Sequence, residues 1–488
     1  MKRLVSSVLA LALGVAHCAQ PPAATTPAAP EAPEGAAAAP GVTAPATWIV
    51  STPSAPFVRA ESAATPAPAQ PDVSVDVSQV QHAITGFGGA FNEHGWAAMS
   101  VLGEAERDSV LRALFDRETG LRFDYCRVPI GASDYALDRY TLNESAGDYA
   151  MTKFSIERDE KHLIPFVRAA KKLRPDLRLW GSAWTPPTWM KTNGAFDSGA
   201  MKDDPKVYAA YALYLARFVE SYTAAGLGIE MVVPQNEPGQ LTKYPSCDWK
   251  PAQYVTFIRD HLAPTFKARN LSTQIFVGTV NQDTWDVMQV LADPGVLSVV
   301  SGAAFQWNAL PFVAKVHAAY PNLPIMQSET ECGNTRRMPD YNPETPPNNF
   351  AYAAYTFRKF RDFISQGASS YMLWNMVLDE HGKNISTDRP WPQNAAIVVD
   401  QTSKKVTLTP MYWVTKHFSG LVDLGARVLA TTGPFEDRIA FVNPDGSVVI
   451  ELLNDTQAPV ELDVAAGGSG HHVSLPPESV ATLLIPKR

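Results

Sequence analysis

Eight short apolar runs alternate with amphipathic stretches through the middle of this chain, and a tail of period-two segments follows them. That succession predicts an α/β fold: a (β/α)8 TIM barrel over 81–409, with an attached β-sandwich built from N-terminal strands at 47–80 and C-terminal strands at 410–488. A chain of 488 residues with 45% apolar and 18% charged content can bury a large core and a smaller companion.

The chain opens with MKRLVSSVLALALGVAHC. Lys2 and Arg3 precede an apolar run too short to span a bilayer comfortably, followed by small residues, so 1–18 reads as a signal peptide. Cys18 resembles the acylated cysteine of a bacterial lipoprotein, although His17 before it is unusual. Two expectations stand side by side: lipid anchoring at Cys18, at an outer surface or in the periplasm, and cleavage with release outside the cell. Residues 19–46 are almost all Ala, Pro, Thr and Glu, which cannot bury enough apolar surface to order themselves; they are expected to be a disordered, semi-extended linker.

The barrel strands follow in order as TGFGGAF (85–91), LRFDYCRVPI (121–130), LRLWGSAW (177–184), IEMVVPQNEP (229–238), QIFVGTV (274–280), VVSGAAFQW (299–307), PIMQSETECG (324–333) and SYMLWNMVLD (370–379). Between them, stretches such as PKVYAAYALYLARFVESYTAAG (205–226) repeat apolar residues at three and four, the helical period. Beyond 410, segments such as RIAFVNPDGSVVIELLN (438–454) alternate and carry turn signals, and early strands around 48–59 and 71–77 complete the sandwich.

Several function classes drop out. The net charge of -8 is spread along the chain with no basic block, so nucleic acid is not a partner. After Cys18 only Cys126, Cys247 and Cys332 remain, spaced for neither a disulfide framework nor a zinc site; Cys126 and Cys332 sit in apolar runs and read as inert thiols. No HExxH, phosphate loop or dinucleotide fingerprint occurs, so no cofactor is expected. His94, Asp379, Glu380 and His381 follow strands one and eight, where subsite or loop-bracing roles fit better than a metal.

The stretch VPQNEPGQ (233–240) ends an apolar run on a glutamate. Catalytic residues of barrels gather where the strands end, and Glu237 closes run four as Glu329 closes run seven. Both carboxyls would face one pocket, the minimum equipment for glycoside hydrolysis. A lone NEP would read as a turn or helix cap; its pairing with SE on strand seven favours the chemistry. SETECG also offers Glu331 on the same side of an extended strand, so periodicity alone does not choose between the two.

The motifs GFGGAFNEHGW, YCRVPIGASDY, SAWTPPTWMKTNG, PQNEPGQ, SETECG and YMLWNMVLDEHG, in this order, resemble glycoside hydrolase family 30, the family of glucosylceramidases and β-1,6-glucanases. The resemblance runs from about Trp48 to the C-terminus and implies a retaining mechanism at β-linked sugars. It implies that Glu237 is the general acid/base and Glu329, first in its motif, the nucleophile. Asn236 would hold the sugar 2-hydroxyl, Arg127 would keep the nucleophile ionised, and Asp134 would grip outer hydroxyls. Trp184 and Trp374 would wall the first subsite, their faces covering the apolar faces of a pyranose.

Gln306, with Trp307 beside it in a substrate-binding position, stands where glucosylceramidases have a histidine. This leans toward the glucanase branch, which AFNEHGW and WPQNA (391–395) also resemble. Endo-β-1,6-glucanase is therefore the leading expectation. Glucosylceramidase, β-glucosidase and β-xylosidase are alternatives, as is an inactive carbohydrate-binding surface protein. The expected partner is a β-linked oligo- or polysaccharide bound by a monomer, with membrane contact only through a lipid at Cys18. Trp189, Trp249 and Trp285 fit outer sugar subsites and burial equally well.

Overall fold

The computed structural model describes residues 45–281 and 285–487. The expected signal peptide, Cys18 and the Ala/Pro-rich linker as far as residue 44 lie outside them.

Eight parallel strands close into a barrel: Gly86–Ala90, Tyr125–Ile130, Arg178–Ala183, Ile229–Val233, Gln274–Val280, Gly302–Gln306, Ile325–Glu329 and Ser370–Asn375. Each apolar run contains one of them. The runs are continuous rather than alternating because helices cover the outer face while side chains fill the interior. Tyr125, Trp180, Met231, Phe276, Met326 and Met372 belong to a buried cluster of their own inside the ring, apart from the larger core between strands and helices. The glycines of strand one have a reason as well: a Cβ on Gly88 would lie 1.8 Å from the Tyr125 carbonyl oxygen, so strands one and two approach this closely only over glycine.

The helix Pro205–Ala224 shows how the outer layer forms. Asp204 caps it through the Lys206 N–H, proline takes its first turn, and Tyr208, Tyr211, Leu215, Phe218 and Tyr222 recur at three and four to bury one stripe against the barrel. Burial of such side chains contributes roughly 1.5–3 kcal/mol each.

Three boundaries differ from the sequence reading. Run four stops being a strand at Val233 because Pro234 has no N–H for the ladder, so Glu237 lies in the following loop rather than at the strand end. Run eight divides: Val377–Asp379 leaves the barrel and pairs with Ile397–Val399, which pairs in turn with Val406–Leu408 in a small sheet beside the mouth. Residues 410–421 are not strand. They form the helix Pro410–Leu421, proline-led, whose Phe418 stacks 4.5 Å from Phe360 on the helix Phe350–Ser365.

The remaining strands form one ten-stranded sheet curled around its own core. The early strands are threaded among the late ones. Ala46–Ser51 pairs with Ser479–Ile485, and Val73–Ala83 lies between Arg427–Thr432 and Val460–Ala466.

Candidate active site

Beyond Pro234 the chain is pinned from both sides. Asn236 donates its N–H to the Ala183 carbonyl at the end of strand three at 2.6 Å, and Glu237 donates to the Thr279 carbonyl of strand five at 3.0 Å. Held so, Glu237 takes a left-handed backbone with φ of 49°, a conformation that costs a non-glycine residue about 1–3 kcal/mol. The neighbouring strands, not the alternation of strand four, therefore set the direction of its side chain.

Glu329 is the last residue of strand seven. One of its oxygens accepts from Arg127 Nη1 at 2.6 Å and from Gln306 Nε2 at 3.1 Å; the other accepts from Trp307 Nε1 at 3.4 Å. Arg127, wholly buried, also donates from Nε to Ser182 at 2.8 Å and from Nη2 to the side-chain oxygen of Asn236 at 2.6 Å. Its guanidinium lies 4.3 Å from the ring centre of Trp184 and 5.4 Å from that of Trp374. These two tryptophans, each 2% exposed, enclose the arginine and stand 5.2 Å apart.

Asn236 links the two carboxyls. Its oxygen accepts from Arg127, Thr279 and Gln306, which commits its NH2 end to Glu237 Oε2 at 3.3 Å. Glu237 also accepts from Tyr244 at 3.4 Å on Oε2 and from Asn281 at 2.5 Å on Oε1. Asp134 sits nearby, buried, with Asn384 donating to it at 3.3 Å.

Burial pushes both Glu237 and Glu329 above the ordinary carboxylate range, while the Arg127 charge pulls both back. Repulsion from Glu237 adds to the rise at Glu329. Two carboxyls in one dry site titrate as a pair. Glu329 holds the negative charge, because it accepts a charged hydrogen bond from Arg127 whereas Glu237 accepts only from amides and a hydroxyl. Burial likewise pushes Asp134 up to about 7, against the hydrogen bond from Asn384.

The structure thus brings Arg127, Asn236, Glu237, Gln306, Trp307 and Glu329 into one hydrogen-bonded cluster, with Trp184 and Trp374 around the arginine and Asp134 at the edge. Glu331 points elsewhere: its carboxylate accepts from Tyr355 and its carbonyl from Tyr352. The strand ends at Glu329, so the period-two rule no longer carries to residue 331.

Thr279, Asn281, Tyr244, Ser182 and Asn384 escaped the sequence reading. The one available signal was that Asn281 directly follows the C-terminal end of strand five. Trp249 and Trp285 are buried braces, Trp249 donating to Gln235 at 3.2 Å and Trp285 to the Trp249 carbonyl at 2.7 Å; Trp189 is half-buried and donates to the Asn143 carbonyl. Asp379 accepts from the backbone of His381 and Gly382, and Glu380 from that of Gln401, so both tie down their own loop. Burial raises the thiols of Cys126 and Cys247 to about 12 and pushes that of Cys332 well above its usual value, which keeps all three protonated. Tyr244, Asn384 and Trp391 line a cleft of about 410 Å³ that opens beside the carboxyl pair. Trp391 lies 5.9 Å from Trp307.

A closed parallel barrel that presents two buried, arginine-linked carboxyls at its strand ends and in the loop beyond has the equipment of a glycosidase. The chain belongs to glycosyl hydrolase family 30: residues 84–422 match its TIM-barrel domain and 425–483 its beta sandwich domain. It is 27% identical over 455 residues to endo-1,6-beta-D-glucanase BGN16.3 of Trichoderma harzianum, with 86% of this chain and 88% of that one covered. To putative glucosylceramidase 2 of Caenorhabditis elegans it is 26% identical over 445 residues, covering 84% and 83% respectively. Its structure is similar to SrfJ from Salmonella typhimurium, with a TM-score of 0.83 and 22% identity over 91% of this chain and 100% of that one. It is also similar to the endo-beta1,6-glucanase BT3312, with a TM-score of 0.80, 22% identity and the same coverages. At such identity these two likenesses speak for the fold.

Proposed function

We propose that this protein is a retaining β-glycosidase that cleaves β-linked glucans, with endo-β-1,6-glucanase as its activity. The observation that carries this reading is the arginine bridge, in which Arg127 binds Glu329 with one nitrogen and, through Asn236, steadies Glu237 with another. Glu237 donates its proton to the glycosidic oxygen as that bond breaks, and the Glu329 carboxylate forms a bond to the anomeric carbon. Esterification removes the negative charge of Glu329, so Glu237 becomes more acidic and ionises. It then takes a proton from water as the water oxygen displaces Glu329 and restores it. In retaining enzymes the two carboxyls stand about 5–5.5 Å apart.

The β-1,6-glucan assignment is supported by Gln306 at the position where the resemblance expects histidine in glucosylceramidases, and by the 27% identity to the Trichoderma harzianum endo-1,6-beta-D-glucanase. A glucosylceramidase reading is the second, favoured by the Caenorhabditis elegans relative. Time-resolved proton NMR on the signal-free protein with β-1,6-glucan tests the choice. Appearance of β-anomeric reducing ends that mutarotate later supports both substrate and stereochemistry; absence of products from this glucan but release from glucosylceramide supports the second reading. No release from any β-glycoside would favour an inactive binding protein. We further propose that residues 1–18 direct export, either with lipid anchoring at Cys18 or with cleavage and release. Mass spectrometry of the mature N-terminus distinguishes the two: acyl chains on Cys18 support anchoring, a cleaved but unacylated N-terminus supports release, and an uncleaved chain would overturn export.

A further inference from the structure

We propose that Asn281 is a positioning residue for the acid/base step, fixing which oxygen of Glu237 carries the transferable proton and supporting its return to the ionised form. The inference rests on the reading of Glu237 as the acid/base and adds to it the residue that orients the proton.

Asn281 comes immediately after strand five, Gln274–Val280. Its Oδ1 accepts the backbone N–H of Asn308 at 3.4 Å, so its amide cannot be turned round without losing that bond, and Nδ2 is committed to Glu237 Oε1. Both partners are enclosed, Asn281 being 4% and Glu237 7% exposed, so water is a poor substitute for the donor.

An amide N–H has no lone pair with which to receive a proton. When Glu237 is neutral, a hydrogen on Oε1 would meet the hydrogen of Asn281 Nδ2 head-on. Oε2 also faces an amide donor, Asn236, but at 3.3 Å against 2.5 Å for Asn281 on Oε1, and its other neighbour is the Tyr244 hydroxyl at 3.4 Å, so the proton resides on the more loosely held Oε2. The Tyr244 hydroxyl can rotate to accept, and its bond is long enough to yield to a glycosidic oxygen. Once the Oε2–H bond has broken and the proton has passed to the leaving oxygen, all three neighbours donate to the carboxylate, and the Asn281 bond is the strongest of the hydrogen bonds that pull the Glu237 pKa down. The same oxygen then takes the proton of the attacking water. Asn281 thus favours the ionised form in the second half of the cycle, against the burial that opposes it.

The experiment is the pH profile of Asn281→Asp beside Asn281→Leu, on an aryl β-glycoside with a good leaving group and on the glucan. Asn281→Asp preserves shape but replaces the donor by an acceptor. The alkaline limb of kcat/KM, which reports loss of the Glu237 proton, should move up by about half a pH unit or more in both variants. Turnover of the activated glycoside, limited by the second step, should fall about tenfold or more. Loss by the same factor at every pH with the limb unmoved, or unchanged kinetics, would overturn the proposal. Azide added to Glu237→Ala separates the two layers. Azide rescue with an unmoved limb in the Asn281 variants rejects only the role of Asn281, whereas no rescue rejects the acid/base assignment and this inference together.

Discussion

Glu329 at the barrel mouth and Glu451 in the sandwich are both buried glutamates on strands, yet only one is built to hold a charge. Glu451, wholly buried on Val448–Asn454, accepts from Thr482 at 2.5 Å on one oxygen, and its other oxygen has no hydrogen-bond partner among the described residues. Thr482 in turn meets His417 Nδ1 at 2.6 Å, and His417 Nε2 meets Ser51 at 2.9 Å. Burial raises Glu451 well above the usual carboxylate range and lowers His417 to about 3, so it pushes both toward their uncharged forms. Glu329 has, besides the Gln306 and Trp307 donors, a charged neighbour that Glu451 lacks at hydrogen-bond distance, the Arg127 guanidinium at 2.6 Å. Burial alone disfavours the charged form of a carboxyl; a fixed cation in the same dry surroundings opposes that and favours the anion, which is what the nucleophile role proposed for Glu329 requires.

The largest test of this contrast is Glu329→Gln, which should lower glycoside hydrolysis by about 10⁴-fold or more, read as steady-state turnover. Full activity of that variant on any glycoside would end the assignment. Glu237→Gln should lose roughly 10²–10⁴-fold on the natural glucan, while glycosides with good leaving groups keep a rapid first step visible as a burst. Arg127→Lys removes the fork that serves Glu329 and Asn236 together, and each charged hydrogen bond is worth about 1.5–3 kcal/mol, so a loss on the order of 10²-fold is expected. With less help to the charged form, the pKa of Glu329 rises; since the reaction needs it ionised, the acid limb of the rate profile should move to higher pH.

The smallest effect on activity belongs to Glu451→Gln, which should leave turnover unchanged and alter stability instead. The folded-state pKa of Glu451 is raised, so wild type loses stability as pH climbs above the unfolded value of about 4.3. The glutamine variant escapes that loss. Calorimetry should show it melting above wild type at pH 7, with the advantage shrinking as pH falls toward 4. A variant that melts lower at pH 7 would mean that Glu451 is held ionised after all.

Most of the architecture could be read from the sequence because a parallel barrel strand, covered on both faces, leaves an uninterrupted apolar run. The points of failure have local causes. Pro234 ended strand four earlier than its hydrophobicity suggested, and the proline-led, aromatic-rich stretch from Pro410 hid a helix. At the site, residues set within recognisable motifs, such as Arg127 and Asn236, could be named in advance. Asn281 and Tyr244 could not, because they are ordinary polar loop residues that acquire meaning only when strands five and four bring them to Glu237. Glu331 shows the limit of periodicity: two residues from Glu329, it faces Tyr355 once the strand has ended.

The helix Pro410–Leu421 bears on how the two domains could be recombined. It packs Phe418 against Phe360 on the barrel side and, on the other, offers His417 to Ser51 and Thr482 of the curled sheet. A truncation at 409 would strip a wall from the barrel and leave aromatic rings facing water. A graft that moved only the segment after 425 would leave behind Ala46–Ser51, the strand that pairs with Ser479–Ile485. Chimeras should therefore retain the helix with the barrel and transfer both chain ends as one cassette, because the sandwich is a module in space without being a module along the gene.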